Sequence, residues 1–135
     1  MTSATESDLF TIIGHRGAAG LAPENTLASF ARGLDLGCSM LELDVHRVFA
    51  EDGSVHLCVI HDDQLERTTN GVGAVADHSL EALKALDAGS GQAIPTLQEV
   101  IELLEAQSDR VRLNVELKGK NTAALVATTL SCHSN

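Results

Sequence analysis

Short apolar runs of the kind that form β-strands alternate along this chain with segments whose apolar residues recur at helical spacing. The strand-like runs are residues 10–13, 40–45, 55–60 and 111–117. The helix-like segments begin at Pro23, Ser79, Thr96 and Thr122. Because strands that alternate with helices usually form a parallel sheet covered by those helices, the pattern predicts an α/β fold.

Two parallel architectures fit this alternation, an open doubly wound sheet and part of an eight-stranded β/α barrel. A complete barrel needs about 250 residues, whereas this chain has 135. Four strands would supply half of such a barrel. The alternation by itself leaves both architectures open.

The composition is that of a folded domain with a core of its own. Apolar residues make up 44% of the chain, no apolar run reaches the roughly 18 residues of a membrane span, and the first residues lack the basic region of a signal peptide. The net charge of −10 argues against nucleic acid or an anionic membrane as a partner. Three cysteines without C-x-x-C spacing fit free thiols in a reducing compartment. We therefore expect a cytoplasmic protein.

Ionisable residues cluster at the ends of all four predicted strands. They are His15, Arg16, Glu42, Asp44, His61, Asp62, Glu116 and Lys118. Since the carboxyl ends of parallel strands share one rim, where ligands bind, we expect these clusters to meet. Residues two apart on a strand point to the same face, so Glu42 projects with Asp44. Glu116 projects with Lys118 for the same reason.

Three of the four carboxylates among these residues would converge from adjacent strands. Glu42, Asp44 and Glu116 would repel one another strongly unless a cation lay among them. Oxygen ligands favour a hard divalent ion over zinc. The sequence therefore predicts a site for Mg²⁺ or Ca²⁺.

The two strand-end histidines and their basic neighbour suit a phosphate group. If the strands are in sequential order, His15 and His61 flank the second strand, with backbones about 10 Å apart. Imidazoles act as acid and base near pH 7, and the Arg16 fork matches phosphate oxygens. Together with the cation site and Lys118, these groups predict a phosphodiester as substrate.

Taken in order, the motifs resemble those of the glycerophosphodiester phosphodiesterase family. The motifs are GHRGAAGLAPENTLASF, ELDVHRV, VIHDDQLERTTNGVG, LDAG, IPTLQEV and NVELKGK. They run from about Thr11 to Lys120, in the order of the family. The resemblance implies a TIM-type β/α barrel enzyme that hydrolyses small glycerophosphodiesters to glycerol 3-phosphate and an alcohol.

The resemblance also implies a role for each strand-end residue. His15 and His61 would be the general acid and base, without an indication of which is which. Arg16 would contact the phosphate and Lys118 would line the same pocket. The divalent metal would be held by the three carboxylates already named, Glu42, Asp44 and Glu116.

Members of this family continue for about four more strands beyond the ELK motif. We therefore expect one domain, residues 1–135, that is truncated after the fourth β/α unit of a partial barrel. Three functions stay open at this point. The chain is an active phosphodiesterase, or an impaired fragment that at most binds metal or self-associates to cover exposed sheet edges, or a related enzyme acting on lysophospholipids or sphingolipids.

Other polar residues are interpreted without chemistry. Residues 23–26 are mainly a helix start. The residues after His61, namely Asp62, Asp63 and Arg67, would fix a loop through hydrogen bonds. The remaining histidines, His46, His56, His78 and His133, are interpreted as exposed surface residues.

Overall fold

In residues 10–107 and 110–132, which the computed structural model describes, the chain forms four strands and four α-helices. The strands are β1 (Ile13–His15), β2 (Met40–Phe49), β3 (Val55–Val59) and β4 (Arg112–Leu117). The helices are α1 (Leu27–Asp35), α2 (Leu80–Lys84), α3 (Leu97–Gln107) and α4 (Ala123–Ser131). A short 3₁₀ turn covers Val75–Asp77. None of these helices combines the length and apolar character that crossing a bilayer requires. His133 lies outside the described residues.

Three helices begin at side chains that cap them. The Thr26 hydroxyl accepts the main-chain N–H of Ser29 at 3.2 Å, so α1 starts there rather than at the preceding proline. The Ser79 hydroxyl caps α2 in the same way. Thr96 and Glu99 form a capping box at the start of α3, because each side chain accepts the other residue's N–H. These helix starts confirm the sequence prediction for α2 and α3.

Strand β2 is the centre of the sheet and is parallel to two neighbours. It pairs with β1 from Met40 to Glu42 and with β4 from Met40 to Val45. Both faces of β2 are buried along most of its length. One face carries Leu41 and Leu43 into the core beneath the helices, which is the arrangement expected of a parallel α/β layer.

Strand β3 runs antiparallel to β2, so the prediction of a parallel third strand is wrong. Strand β2 continues past Val45 to Phe49, turns through residues 50–54, and pairs with β3 in a hairpin. The physical reason is the length of the connection, since a parallel neighbour needs a crossover of a dozen or more residues. The hairpin returns the chain to the middle of β2, where the Ile60 N–H donates to the Asp44 carbonyl at 3.0 Å.

The hairpin also places both strand-end histidines on one edge of β2. The Val45 carbonyl accepts from Lys118, which follows β4, whereas the Asp44 carbonyl accepts from Ile60, which follows β3. Successive carbonyls of a strand point to opposite edges, so β3 and β4 lie on opposite sides of β2. Because β4 fills one edge from residue 40 to 45, β1 shares the other with β3. The prediction that His15 and His61 flank the second strand is therefore wrong.

The core lies between the sheet and the helices. Its main cluster comprises Phe30, Leu41, Leu43, Val45, Leu57, Val59, Leu97, Val100, Ile101, Leu104 and Val126. A second cluster beneath the hairpin comprises Val48, Cys58, Ile60, Leu65, Val75, Leu83, Ala88 and Ile94. The opposite face of β2 carries polar residues, and that face forms the candidate site.

Candidate active site

The loop after β1 is a tight turn that aims main-chain groups at β2. Arg16 and Gly17 both have positive φ, 52° and 82°. This conformation directs the Arg16 N–H to Glu42 Oε2 at 3.0 Å. The Arg16 carbonyl accepts the Ser29 hydroxyl at 2.8 Å, which ties the loop to α1. The first strand end is therefore fixed to both the sheet and a helix.

This loop has no room for a side chain at Gly17. A Cβ atom there would lie 2.7 Å from the Ser29 carbonyl carbon and would sit at a φ that L residues rarely adopt. We expect Gly17→Ala to lower the free energy of unfolding by about 3 kcal/mol. Gly20→Ala is the matched control, because nothing lies within 4 Å of a Cβ at that position. Urea unfolding measures both, and equal stability of the two variants would contradict the packing described.

Glu42, Asp44 and Glu116 form a carboxylate cluster. Each offers an oxygen, and these oxygens all lie within 4.8 Å of one another. The parallel register places Asp44 opposite Glu116, and the alternation of β2 adds Glu42 on the same face. Glu42 Oε1 and Asp44 Oδ1 are buried without a hydrogen-bond partner. Since buried carboxylate oxygens are normally bonded, this cluster fits a hard divalent cation.

Two members of the cluster differ in their titration. Burial raises the pKa of Glu42, and the Asp44 and Glu116 charges add to that effect, while the Arg16 N–H opposes it. The Glu116 pKa is lowered, because the Lys118 ammonium donates to its carboxylate at 3.0 Å. Glu42 thus resists ionisation in the absence of a cation.

We expect Glu42→Gln to stabilise the chain in EDTA at pH 7 by on the order of 1 kcal/mol. Because the folded-state pKa of Glu42 is raised above its ordinary value of 4.5, its protonated form contributes stability that is present below pH 4.5. That stability is lost as the pH rises through the raised pKa. Thermal melts at pH 4 and pH 7 test this, and the variant's advantage should be confined to pH 7. A gain in stability of Glu42→Gln at pH 4 as large as the gain at pH 7 would contradict the raised pKa of Glu42.

The two candidate acid–base histidines have different surroundings. His15 is 67% exposed, and its Nε2 lies 3.7 Å from Glu42 Oε2. The Nδ1 of His61 lies 2.7 Å from Asp62 Oδ1. Because an ionised carboxylate only accepts, Nδ1 of His61 carries the proton and Nε2 is the nitrogen available for proton transfer.

The two candidate phosphate-binding cations also lie beside the carboxylates. Arg16 Nε is 3.6 Å from Asp44 Oδ2, and Lys118 lies against Glu116. The structure thus places six of the seven predicted site residues in one connected group around the cluster. The seventh, His61, follows Ile60, whose N–H donates to the Asp44 carbonyl, and its own Nδ1 bonds Asp62.

Sequence reasoning missed three residues of this site. Asn25 is buried and donates to Asp44 Oδ2 at 3.1 Å, and Glu24 accepts from Arg16 at 2.9 Å, although residues 23–26 were interpreted as a helix start. His46 is only 5% exposed, so its interpretation as a surface residue is wrong. Its Nε2 bonds the His61 carbonyl at 3.1 Å. The alternation that grouped residues 42 and 44 also places residue 46 on that face.

A family model for the glycerophosphoryl diester phosphodiesterase family matches residues 15–130. A glycerophosphodiester phosphodiesterase of Caldanaerobacter subterraneus is 46% identical over 114 residues, which cover 79% of this chain and 44% of that protein. Human glycerophosphodiester phosphodiesterase 1 is 32% identical over 130 residues, covering 87% of this chain and 38% of that protein. The chain therefore spans less than half the length of these relatives.

Two solved structures share the fold. A phosphodiesterase of Oleispira antarctica, solved with the product sn-glycerol-3-phosphate, superposes with a TM-score of 0.80 at 37% identity, covering 93% of this chain and 53% of that one. A glycerophosphodiester phosphodiesterase of Agrobacterium tumefaciens gives 0.78 at 38% identity, covering 90% and 52%. The predicted fold, part of a TIM-type β/α barrel, is confirmed.

Proposed function

The chain belongs to the glycerophosphoryl diester phosphodiesterase family, and on that premise we propose that it hydrolyses glycerophosphodiesters to glycerol 3-phosphate and an alcohol. The observation that carries the proposal is the carboxylate cluster of Glu42, Asp44 and Glu116, with His15 beside Glu42. The sn-glycerol-3-phosphate bound by the Oleispira neighbour is the product that this reaction releases. Residues 1–135 act in this proposal as one phosphodiesterase-like domain.

The basic residues bind the substrate phosphate. Arg16 presents a planar fork that matches two phosphate oxygens, and Lys118 adds a second positive charge. Glu42, Asp44 and Glu116 would hold Mg²⁺ or Ca²⁺, because all the ligand atoms that they offer are oxygens. When bound, that ion supplies Lewis-acid stabilisation of negative charge on the substrate oxygens.

The two histidines move protons. One takes the proton of the substrate's glycerol hydroxyl as that oxygen bonds to phosphorus, and the other gives a proton to the alcohol oxygen as the opposite P–O bond breaks, which leaves a cyclic glycerol phosphate. Water then attacks that phosphorus: the second histidine takes a proton from the water, and the first returns its proton to the glycerol oxygen as the ring P–O bond breaks, which releases glycerol 3-phosphate. Nε2 of His61 is the nitrogen suited to this exchange, since Nδ1 is held by Asp62. Arg16 and Lys118 balance the charge that develops on the phosphate.

Substrate profiling tests the proposal and its nearest variant. The purified chain is incubated with Mg²⁺ or Ca²⁺ and with glycerophosphocholine, lysophosphatidylcholine or a lysosphingolipid. We expect glycerol 3-phosphate to appear from glycerophosphocholine at the highest rate. A higher rate on either lipid would replace the proposed substrate class with the lipid class, and no product from any of the three would contradict the enzymatic assignment.

A second candidate is a metal-binding module that self-associates without turnover. It is favoured by exposed apolar residues of β1 and β4, namely Ile13 at 50% and Leu117 at 45%. Among the described residues, the outer edges of β1 and β4 pair with no strand, and such edges promote association between chains. Light scattering across a concentration series tests it. A dimer without turnover favours the module, whereas a monomer with turnover excludes it.

A further inference from the structure

One guanidinium joins the two loops that carry the candidate catalytic groups. Arg67 lies in the segment after β3 and contacts the carboxylates of both Asp62 and Glu24. Asp62 accepts from His61, and Glu24 accepts from Arg16. We propose that Arg67 is a positioning residue that holds His61 and Arg16 in their working orientations. This inference rests on the proposed function and deepens it.

The contacts of Arg67 are those of a fork that grips two carboxylates at once. Its Nε and Nη2 donate to Asp62 at 2.7 and 2.9 Å. Its Nη1 and Nη2 donate to Glu24 at 2.8 and 3.1 Å. A planar guanidinium fixes the direction as well as the distance of such pairs, which an ammonium does not. Asp62 and Glu24 are therefore held in a defined relation across 38 residues of sequence.

The Asp62 side of this bridge sets the proton position on His61. The Arg67 guanidinium, with help from His61, holds the pKa of the Asp62 carboxyl well below its usual range. The carboxylate thus stays an acceptor throughout the working pH range. It accepts from Nδ1 of His61 at 2.7 Å, which keeps the proton on Nδ1 and leaves Nε2 unprotonated in the neutral ring.

The Glu24 side gives the phosphate-binding arginine a hydrogen-bond partner outside the carboxylate cluster. Arg16 Nη1 donates to Glu24 Oε2 at 2.9 Å, whereas its Nε lies 3.6 Å from Asp44. Asp44 competes for the same guanidinium, because its Oδ2 lies within ion-pair distance of Arg16 Nε. Glu24 offsets that competition, and Arg67 fixes Glu24.

Three alanine variants test whether Arg67 positions His61 and Arg16 or only stabilises the loops. We expect Asp62→Ala mainly to lower kcat, because it releases His61, and Glu24→Ala mainly to raise KM, because it releases Arg16. Arg67→Ala should do both, with kcat/KM falling about 10–100-fold. Arg47→Ala is the matched control, since that guanidinium stacks 5.0 Å from the Phe49 ring centroid, on the part of β2 that pairs with β3.

Chemical rescue of activity distinguishes a positioning residue from one that only stabilises the two loops. The Arg67 side chain is 49% exposed, so a guanidinium ion can enter the space that Arg67→Ala leaves between the two carboxylates. Added guanidinium at a non-denaturing concentration should restore part of the activity, and Arg67→Lys should retain more than Arg67→Ala. The proposal would be overturned if guanidinium restored no activity to Arg67→Ala, or if it raised the activity of Arg47→Ala by the same factor.

An NMR measurement tests the inference without turnover. Long-range ¹H–¹⁵N spectra of the unmodified chain should show neutral His61 protonated on Nδ1. Asp62→Ala should move the proton toward Nε2, and Arg67→Ala should give at least half of that ¹⁵N shift. An unchanged His61 spectrum in Arg67→Ala would overturn the positioning role. Lack of turnover in the unmodified chain would instead overturn the proposed function, so the two failures are distinguishable.

Discussion

Replacing either His15 or His61 by alanine is expected to lower the rate of glycerol 3-phosphate release by about 10²–10⁴-fold. Each variant removes one of two groups that transfer a proton during cleavage of the phosphodiester. Neither histidine belongs to the carboxylate cluster, so cation binding should be nearly unchanged. The measurement is the initial rate on glycerophosphocholine, paired with the melting shift caused by Mg²⁺ or Ca²⁺.

The control for this pair is His56→Ala. His56 lies on the hairpin, where its Nε2 contacts the Ser54 hydroxyl at 2.8 Å, and it has no contact with the cluster. Its variant should keep the rate of the unmodified chain. Activity that persists in both His15→Ala and His61→Ala would show that the acid–base assignment is wrong.

The second large effect is expected from Asp44→Asn, which should abolish cation binding. Asp44 is fully buried, and one of its oxygens lacks a partner. The amide keeps the shape but removes the charge that a hard cation needs. In the unmodified chain, a cation at 100 times its Kd should add about 2.7 kcal/mol of stability, or about 10 °C in Tm. In Asp44→Asn this shift should vanish together with turnover.

Asp35→Asn provides the same chemical change at an exposed position of α1. It should retain both the metal-dependent melting shift and the rate. If Asp44→Asn kept a shift as large as Asp35→Asn, the cation would bind elsewhere, and the three-carboxylate site would be wrong.

Local patterns predicted the elements and the shared face of Glu42 and Asp44, because both depend on short-range geometry. The capping box at Thr96 is a pattern of four consecutive residues, Thr96 to Glu99, and can be predicted from them alone. Glu42 and Asp44 share a face because the side-chain period of a strand is two. Glu116 joins them because β2 and β4 are parallel neighbours whose register aligns it with Asp44.

The antiparallel orientation of β3 was missed because strands and helices were assumed to alternate along the whole chain. The short connection between β2 and β3 was not taken into account. Residues 50–54 are too few for a parallel crossover, and that signal was present in the sequence. The burial of His46 could also have been predicted, since His46 follows Glu42 and Asp44 at the same two-residue spacing on β2. The prediction that Asp62 and Arg67 fix their loop through hydrogen bonds is confirmed. The contact of Arg67 with Glu24 could not be predicted, because the two residues lie 43 positions apart in the sequence.

The most direct test of the proposed site is the rate of glycerol 3-phosphate release by the unmodified chain as the free Mg²⁺ or Ca²⁺ concentration is raised from zero in a metal buffer. The structure predicts no turnover in EDTA and half-maximal rate at the Kd that calorimetry gives for the same ion. Turnover that persists in EDTA, or that saturates far from that Kd, would contradict a phosphodiesterase site built on Glu42, Asp44 and Glu116.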